Sequence, residues 1–236
     1  MYKEAEAAMA DTLKLIKKTH LADNVWTFKF EAHPAFGWTA GQYIQVELPH
    51  ANPDQEGTKR FFTVSAAPYE GHPAITTRIT ESSFKQALVN LPEDGVLKLQ
   101  AKPTGDFTWT DSSSQLVFVA AGIGITPYHS ILTQRAHDRA PLNVALAYAN
   151  RTDAIPFKDE FDAIAATEPK LKISYVTGLV TAGRIAELVP DLHKKLVYVS
   201  GPEPMVEVLG DQLKSAGLPE SQLKQDFFPN YTEAQF

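Results

Sequence analysis

Leu116-Val117-Phe118-Val119-Ala120-Ala121-Gly122-Ile123-Gly124-Ile125-Thr126-Pro127 is the stretch that decides the fold. Residues 116–120 read as an apolar β-strand. Pro127 suits the first turn of a helix. A glycine-rich segment has functional meaning only in this context, between a strand and a helix. Gly122 and Gly124 let backbone N–H groups approach a diphosphate, and Thr126 can cap the helix and bond a phosphate oxygen. The spacing is not G-x-G-x-x-G, and by itself the segment also fits a glycine-rich β–α turn.

Downstream the same rhythm repeats. Apolar strands are expected at 116–120, 142–148, 171–176 and 196–200, with helices over 128–137, 157–166, 184–189 and 204–216. Strand alternating with helix predicts a parallel sheet with helices on both faces. Upstream the punctuation differs. Residues 12–19, 25–31, 43–48, 61–65, 74–80 and 96–100 have strand composition, separated by Gly, Pro and Asp-Asn turns. That pattern predicts an antiparallel barrel or sandwich. One helix interrupts it, with Ser82 or Ser83 as cap and Phe84, Leu88 and Leu91 at near-helical spacing. The polar run Asp111-Ser112-Ser113-Ser114 marks the change of rhythm. The expected architecture is therefore two domains, a β-barrel over 1–111 and an α/β parallel-sheet domain over 112–236.

The β-rich half holds Arg60-Phe61-Phe62-Thr63-Val64-Ser65. On a regular strand Arg60 and Phe62 share one face. A guanidinium forks onto phosphate oxygens, an aromatic ring offers a stacking surface for an isoalloxazine, and Thr63 and Ser65 offer hydroxyls to a flavin's polar edge. Alone, the hexapeptide reads first as an ordinary barrel strand with a surface Arg and core Phe residues. Ser82-Ser83-Phe84-Lys85 adds a helix N-terminus with hydroxyls and a charge, a second anchor for one phosphate or a plain N-cap. Gly105-Asp106-Phe107 closes this half as a tight turn. In the other half, Tyr198-Val199-Ser200-Gly201-Pro202-Glu203-Pro204-Met205 lies at the C-terminal end of an expected parallel strand, where ligands bind in open α/β sheets. Gly201 and Pro202 turn the chain so that Ser200 is expected to face the crevice.

Composition narrows the classes. With 236 residues, 44% of them hydrophobic, the chain can bury a sizeable core. Cysteine is absent, so there is no disulfide and no thiolate-ligated iron–sulfur cluster. A net charge of -6 argues against a nucleic-acid backbone as partner. The seven His show no metal-binding spacing, so no metal site is expected. No apolar run reaches the roughly 20 residues of a membrane helix. Residues 1–10 carry three charges and no long apolar core, which argues against a signal peptide and for a cytoplasmic protein.

Together these motifs resemble the ferredoxin–NADP reductase superfamily in its compact two-domain form, over roughly residues 12–231. The flavin motif Arg-x-Tyr-[Ser/Thr]-x-x-Ser is matched by Arg60, Phe62 and Thr63, with Phe in place of Tyr and Ser65 one residue early. The phosphate turn Gly-x-x-Ser appears with Glu81 in place of Gly, so Glu81 must point away. Gly-Gly-x-Gly-[Ile/Thr]-[Thr/Ser]-Pro is matched by Gly122, Gly124, Thr126 and Pro127, with Ala121 in place of the first Gly. Cys-Gly-Pro-x-x-Met is matched by Gly201, Pro202 and Met205, with Ser200 in place of Cys. The resemblance implies Arg60 on the FAD diphosphate, Phe62 on the isoalloxazine and Thr63 near its N5 edge. It implies an aromatic covering the flavin near the C-terminus, Phe228 first and Tyr231 second, and Asp226 as a proton relay with Thr63. Thr63, Ser200 and Asp226 are thus the expected catalytic residues. Val64, Ser65, Ser82 and Ser83 complete the flavin set.

What the resemblance implies is hydride transfer from NADPH or NADH to FAD, then one-electron transfer to a separate acceptor: a ferredoxin, a flavodoxin, a partner subunit or a small molecule. Arg151, after the second α/β strand, mildly favours NADPH through its affinity for a 2′-phosphate, blunted by Asp153. The departures at Ser200 and Ala121 keep a second expectation open, a cofactor-binding electron-transfer or sensory subunit with little NAD(P)H turnover.

Overall fold

The computed structural model describes residues 11–228, and of Phe228 the backbone alone. The chain divides into two compact units, Met1–Thr108 and Trp109–Phe236.

The first unit is a six-stranded antiparallel sheet in the order β4-β3-β6-β1-β2-β5. Its strands are β1 Thr12–Ala22, β2 Val25–Ala32, β3 Tyr43–Glu47, β4 Lys59–Thr63, β5 Ala74–Arg78 and β6 Val96–Leu99. The two outer strands meet where β4 runs on. Ser65 N–H donates to Ala74 O at 2.9 Å, and the Ser65 and Thr76 hydroxyls bond at 2.8 Å, so the sheet curls into a barrel. Alternation along β1 and β2 places Leu13, Leu15, Phe28 and Phe30 inside, with Lys and Glu outside. Helix α1, Ser83–Asn90, buries Phe84 and Leu88 against the same core. Full burial of a side chain like Phe84 is worth about 1.5–3 kcal/mol.

The second unit is a parallel sheet of β7 Leu116–Ala121, β8 Val144–Asn150, β9 Leu171–Thr177, β10 Val197–Pro202 and β11 Leu223–Phe228, in the order β11-β10-β7-β8-β9. Its helices are α2 Thr126–His137, α3 Lys158–Thr167, α4 Ala182–Leu188 and α5 Glu203–Ser215. Strand alternation assigns the faces. Val117, Val119, Val197 and Val199 pack with Ile185 of α4 and Val206, Leu209 and Leu213 of α5. Phe118 and Tyr198 point the other way, where Phe118 stacks on Tyr128 of α2 at 4.7 Å. On that side Tyr148 meets Phe161 of α3. Both faces are covered, which is why β7 is buried along its whole length.

β11 is not among the strands expected from the sequence. It reads Leu-Lys-Gln-Asp-Phe-Phe, an edge strand without the apolar run of its neighbours, and it is specified by parallel pairing with β10. The division between units falls slightly upstream of 111/112. Trp109 explains this: its ring lies under the Arg135 guanidinium at 3.8 Å and against Phe118, and Thr110 accepts from Lys224 Nζ at 3.0 Å.

Candidate functional site

In the barrel, β4 and the start of α1 bring Arg60, Ser82 and Ser83 together. The Arg60 side chain is only 12% exposed and lies over the Phe84 ring at 5.3 Å. It is therefore no surface arginine. Its Nη1 donates to the carbonyls of Glu56, Gly57 and Lys59 at 2.8–3.0 Å. Its Nη2 meets Asp54 Oδ1 at 3.0 Å, Glu56 Oε2 at 2.9 Å and Ser82 Oγ at 3.3 Å.

The expected serine cap is replaced by a residue from another loop. Neither Ser82 nor Ser83 caps α1 with its own side chain; Ser83 N–H donates instead to Asp54 Oδ2 at 2.9 Å. Ser82 Oγ donates to the same oxygen at 3.3 Å, and Ser83 Oγ accepts from Asp54 N–H at 2.9 Å. His50 completes the chain of bonds: Nδ1 faces Leu48 O at 2.7 Å and Nε2 faces Ser83 Oγ at 2.9 Å. A carbonyl only accepts, so in the neutral ring Nδ1 carries the proton and Nε2 accepts from Ser83. Burial alone would raise the Asp54 carboxyl. The Ser83 hydrogen bonds and the Arg60 cation outweigh it and bring it down to about 2. Lys85, 8% exposed, is pushed down by burial to about 8. Asp54, Glu56 and His50 were not foreseen from the sequence. Pro53-Asp54 reads as a turn, and nothing local ties it to a helix start 29 residues later.

The remaining barrel residues are more structural in setting. Phe62 is 9% exposed and packs on Phe84 at 5.8 Å. Thr63 ends β4 opposite Tyr43, and Val64 N–H donates to Gln42 O. Ser65 is 1% exposed, its hydroxyl bonded to Ala74 O and Thr76 Oγ1 across the barrel closure. Glu81 is exposed.

In the second unit the chain order reverses between β7 and β10, so their C-terminal ends flank a topological switch point. The 3-10 turn Gly122–Ile125 and Ser200-Gly201-Pro202 lie there. Gly122 has φ +52°, in the left-handed region that favours glycine. Gly124 is needed for a different reason: a Cβ there would sit 2.2 Å from Ser200 O. The turn is pressed against β10 backbone. Thr126 is the first residue of α2, not its cap, and its hydroxyl donates to Ile123 O at 3.1 Å. Pro127 follows in the first turn, as expected.

Ser200 is fully buried; its Oγ lies 3.5 Å from Asp226 Oδ2, directly across on β11. Arg151 is exposed just past β8. Its neighbour Asn150 is 5% exposed, and Asn150 Nδ2 is buried with no hydrogen-bond partner among the described residues. An orphaned buried donor at the carboxyl end of a parallel strand fits a ligand offering an oxygen acceptor. The Phe228 side chain and Tyr231 lie outside the described residues. Among the described residues no helix is long and apolar enough to cross a membrane, and no group of three or more His, Asp or Glu could hold a metal ion.

Residues 118–210 match the family described as "Oxidoreductase NAD-binding domain". The chain is 28% identical over 213 residues to a flavohemoprotein of Burkholderia sp. (strain TH2), covering 84% of this chain but only 51% of that protein. The chain thus spans about half the length of that relative. Its fold superposes on the flavohem-like FAD/NAD-binding domain of a nitric oxide dioxygenase from Vibrio cholerae with a TM-score of 0.80 at 20% identity, covering 93% of this chain and 98% of that one. It superposes on ferredoxin–NADP+ reductase from Plasmodium falciparum with a TM-score of 0.77 at 15% identity, over 92% and 95%. The chain thus shares the fold of these ferredoxin–NADP reductase-like structures, and residues 118–210 of its second unit match the oxidoreductase NAD-binding domain.

Proposed function

We propose that the chain is an FAD-dependent NAD(P)H oxidoreductase. The observation that carries this reading is the pairing, in one chain, of an Arg–Ser–Ser cradle on a β-barrel with a glycine turn at the switch point of a parallel sheet. Bound FAD would supply the redox chemistry, taking hydride from NADPH or NADH and releasing single electrons to a separate acceptor.

The chain's own groups do the holding. Arg60, Ser82 Oγ and Ser83 N–H are the donors proposed for the flavin diphosphate, with Phe62 as an apolar wall and Thr63 along its edge, while the buried Val64 and Ser65 hold the barrel behind them. The turn Gly122–Ile125, with Thr126 and Pro127 opening α2, is proposed to carry the dinucleotide diphosphate on backbone and helix terminus. Asn150 Nδ2 and Arg151 are proposed at its ribose. Ser200, Gly201 and Pro202 end β10 at the proposed nicotinamide side. Asp226 is placed to orient the Ser200 hydroxyl, and Thr63 is the proposed hydroxyl partner of the flavin.

The test is an anaerobic titration of the flavin-loaded protein with NADH and NADPH in separate runs. Bleaching of the flavin absorbance by either nucleotide is the expected result, and the faster one names the donor. A protein that takes up neither FAD nor FMN would overturn the flavin assignment. A loaded protein that stays oxidised with both nucleotides would favour an electron-transfer or sensory subunit.

A further inference from the structure

We propose that the Asp54 carboxylate is an internal competitor for the phosphate cradle, so that a phosphate-bearing ligand enters only as the segment 50–57 releases Asp54 from Arg60, Ser82 and Ser83. The ligand is the flavin only on the reading above; the competition itself stands on the cradle.

A carboxylate has about four lone-pair sites. All four of Asp54's are used. Oδ1 accepts from Arg60 Nη2 and from Glu56 N–H, both at 3.0 Å; Oδ2 accepts from Ser83 N–H at 2.9 Å and Ser82 Oγ at 3.3 Å. Three of those donors, Arg60 Nη2, Ser82 Oγ and Ser83 N–H, are the ones a phosphate oxygen would need. A phosphate must displace Asp54 to reach them, because Arg60 Nη2 already divides its two hydrogens between the Asp54 and Glu56 carboxylates, Ser83 N–H has a single hydrogen, and like charges at contact repel. The contact is also arranged to hold a segment rather than a single side chain. Arg60 Nη1 grips the Glu56 and Gly57 carbonyls, Glu56 Oε2 reaches Arg60 Nη2, and Asp54 N–H donates to Ser83 Oγ. The segment between β3 and β4 is thus tied to α1 by ionic and polar bonds. Asn52 and Gly57 flank Asp54 with φ +51° and +70°. Asp54 and Glu56 are 33% and 42% exposed, so water can take over their carboxylates when they let go.

The consequence is that cradle affinity is set by Asp54 as much as by Arg60. An ordinary N-cap could be lost without effect on an anion; this one should oppose it. Asp54→Asn is the discriminating variant, since its amide oxygen still accepts from Ser83 N–H while the charge is gone. Calorimetric titrations at constant ionic strength would use inorganic pyrophosphate and FAD as separate probes, with wild type, D54N and R60A compared.

The expected result is that both probes bind D54N roughly ten- to a hundredfold tighter than wild type, and that R60A loses pyrophosphate binding. Pyrophosphate binding that is unchanged or weaker in D54N would overturn the proposal. A pyrophosphate gain with equal FAD affinity would support the competition and show that the flavin phosphate avoids this cradle. A pyrophosphate gain in a protein where neither form binds FAD would support the competition and refute the flavin assignment. Should D54N not fold, hydrogen exchange on the wild type decides. Pyrophosphate should speed exchange at the Asp54 and Glu56 amides if the segment is displaced, and slower exchange there would overturn it.

Discussion

The barrel cradle and the glycine turn are two ways of building a place for a phosphate, and they rest on opposite physics. The cradle is one charged side chain, Arg60, with the Ser82 hydroxyl and the Ser83 N–H, and every donor in it is already engaged by Asp54 or Glu56. The turn carries no charged side chain. It is buried backbone, shaped by a left-handed Gly122 and by the contact of Gly124 with Ser200 O. Side-chain charge can be exchanged between partners, so the cradle is tunable and competes with itself. Backbone pressed on backbone has no alternative arrangement, so the turn is fixed and intolerant. Substitutions in the first should change affinity; substitutions in the second should change folding.

Gly124→Val is the sharpest way to break that distinction. Its Cβ would meet Ser200 O, Ser200 C and Gly201 N within 2.6 Å, all backbone atoms. We expect a loss of more than about 3 kcal/mol, beyond the usual cost of overpacking, seen as a large drop in Tm and in near-UV ellipticity. Normal stability with only a raised KM for NAD(P)H would mean that β10 yields, and the turn would then be as adaptable as the cradle.

Arg60→Ala should come next, with the opposite signature. It removes the cation shared by Asp54 and Glu56, and charge-assisted bonds of this kind are worth about 1.5–3 kcal/mol. Flavin affinity should fall by about ten- to a hundredfold, read by fluorescence titration, while the far-UV spectrum stays that of the wild type. Unfolding without it would move the cradle into the structural class.

Acid titration separates the two regions without touching the turn. The Asp54 carboxyl is held at about 2 against an ordinary 3.8, so its contribution to stability is complete above that ordinary value and is lost as the pH falls through about 2. Chemical denaturation followed between about pH 5 and 2 should fall less steeply for Asp54→Asn than for wild type. Equal slopes would show that the carboxylate does not stabilise the 50–57 segment.

The smallest effect is expected at Asn150. Its Nδ2 has no hydrogen-bond partner among the described residues, so Asn150→Ala breaks no intramolecular bond at that atom. Tm should move by only a few degrees, while the apparent KM for NAD(P)H should rise by about fivefold, the worth of one hydrogen bond. A stability loss without a kinetic change would make Asn150 a packing residue.

The two-unit division was legible in the chain because it rests on local signals. Period-two strands with Gly and Pro turns in one half, and apolar runs followed by helical spacing in the other, each report the burial of a nearby face. The Gly122 turn was legible for the same reason, since strand, glycines and Pro127 are contiguous. β11 was not, because Leu223–Phe228 has strand character only when β10 pairs with it.

Sequence alone thus determined the elements other than β11, their order and the residue types able to meet a phosphate, since propensity and periodicity act within a few residues. Tertiary structure decided what those residues touch. Asp54 reaches Ser83 across 29 positions to displace the expected serine cap, Gly124 turns out to serve the approach of β10, and Ser65 bonds across the barrel closure. Hydrogen-bond partnership and steric contact are set by three-dimensional proximity, which chain order does not encode one residue at a time.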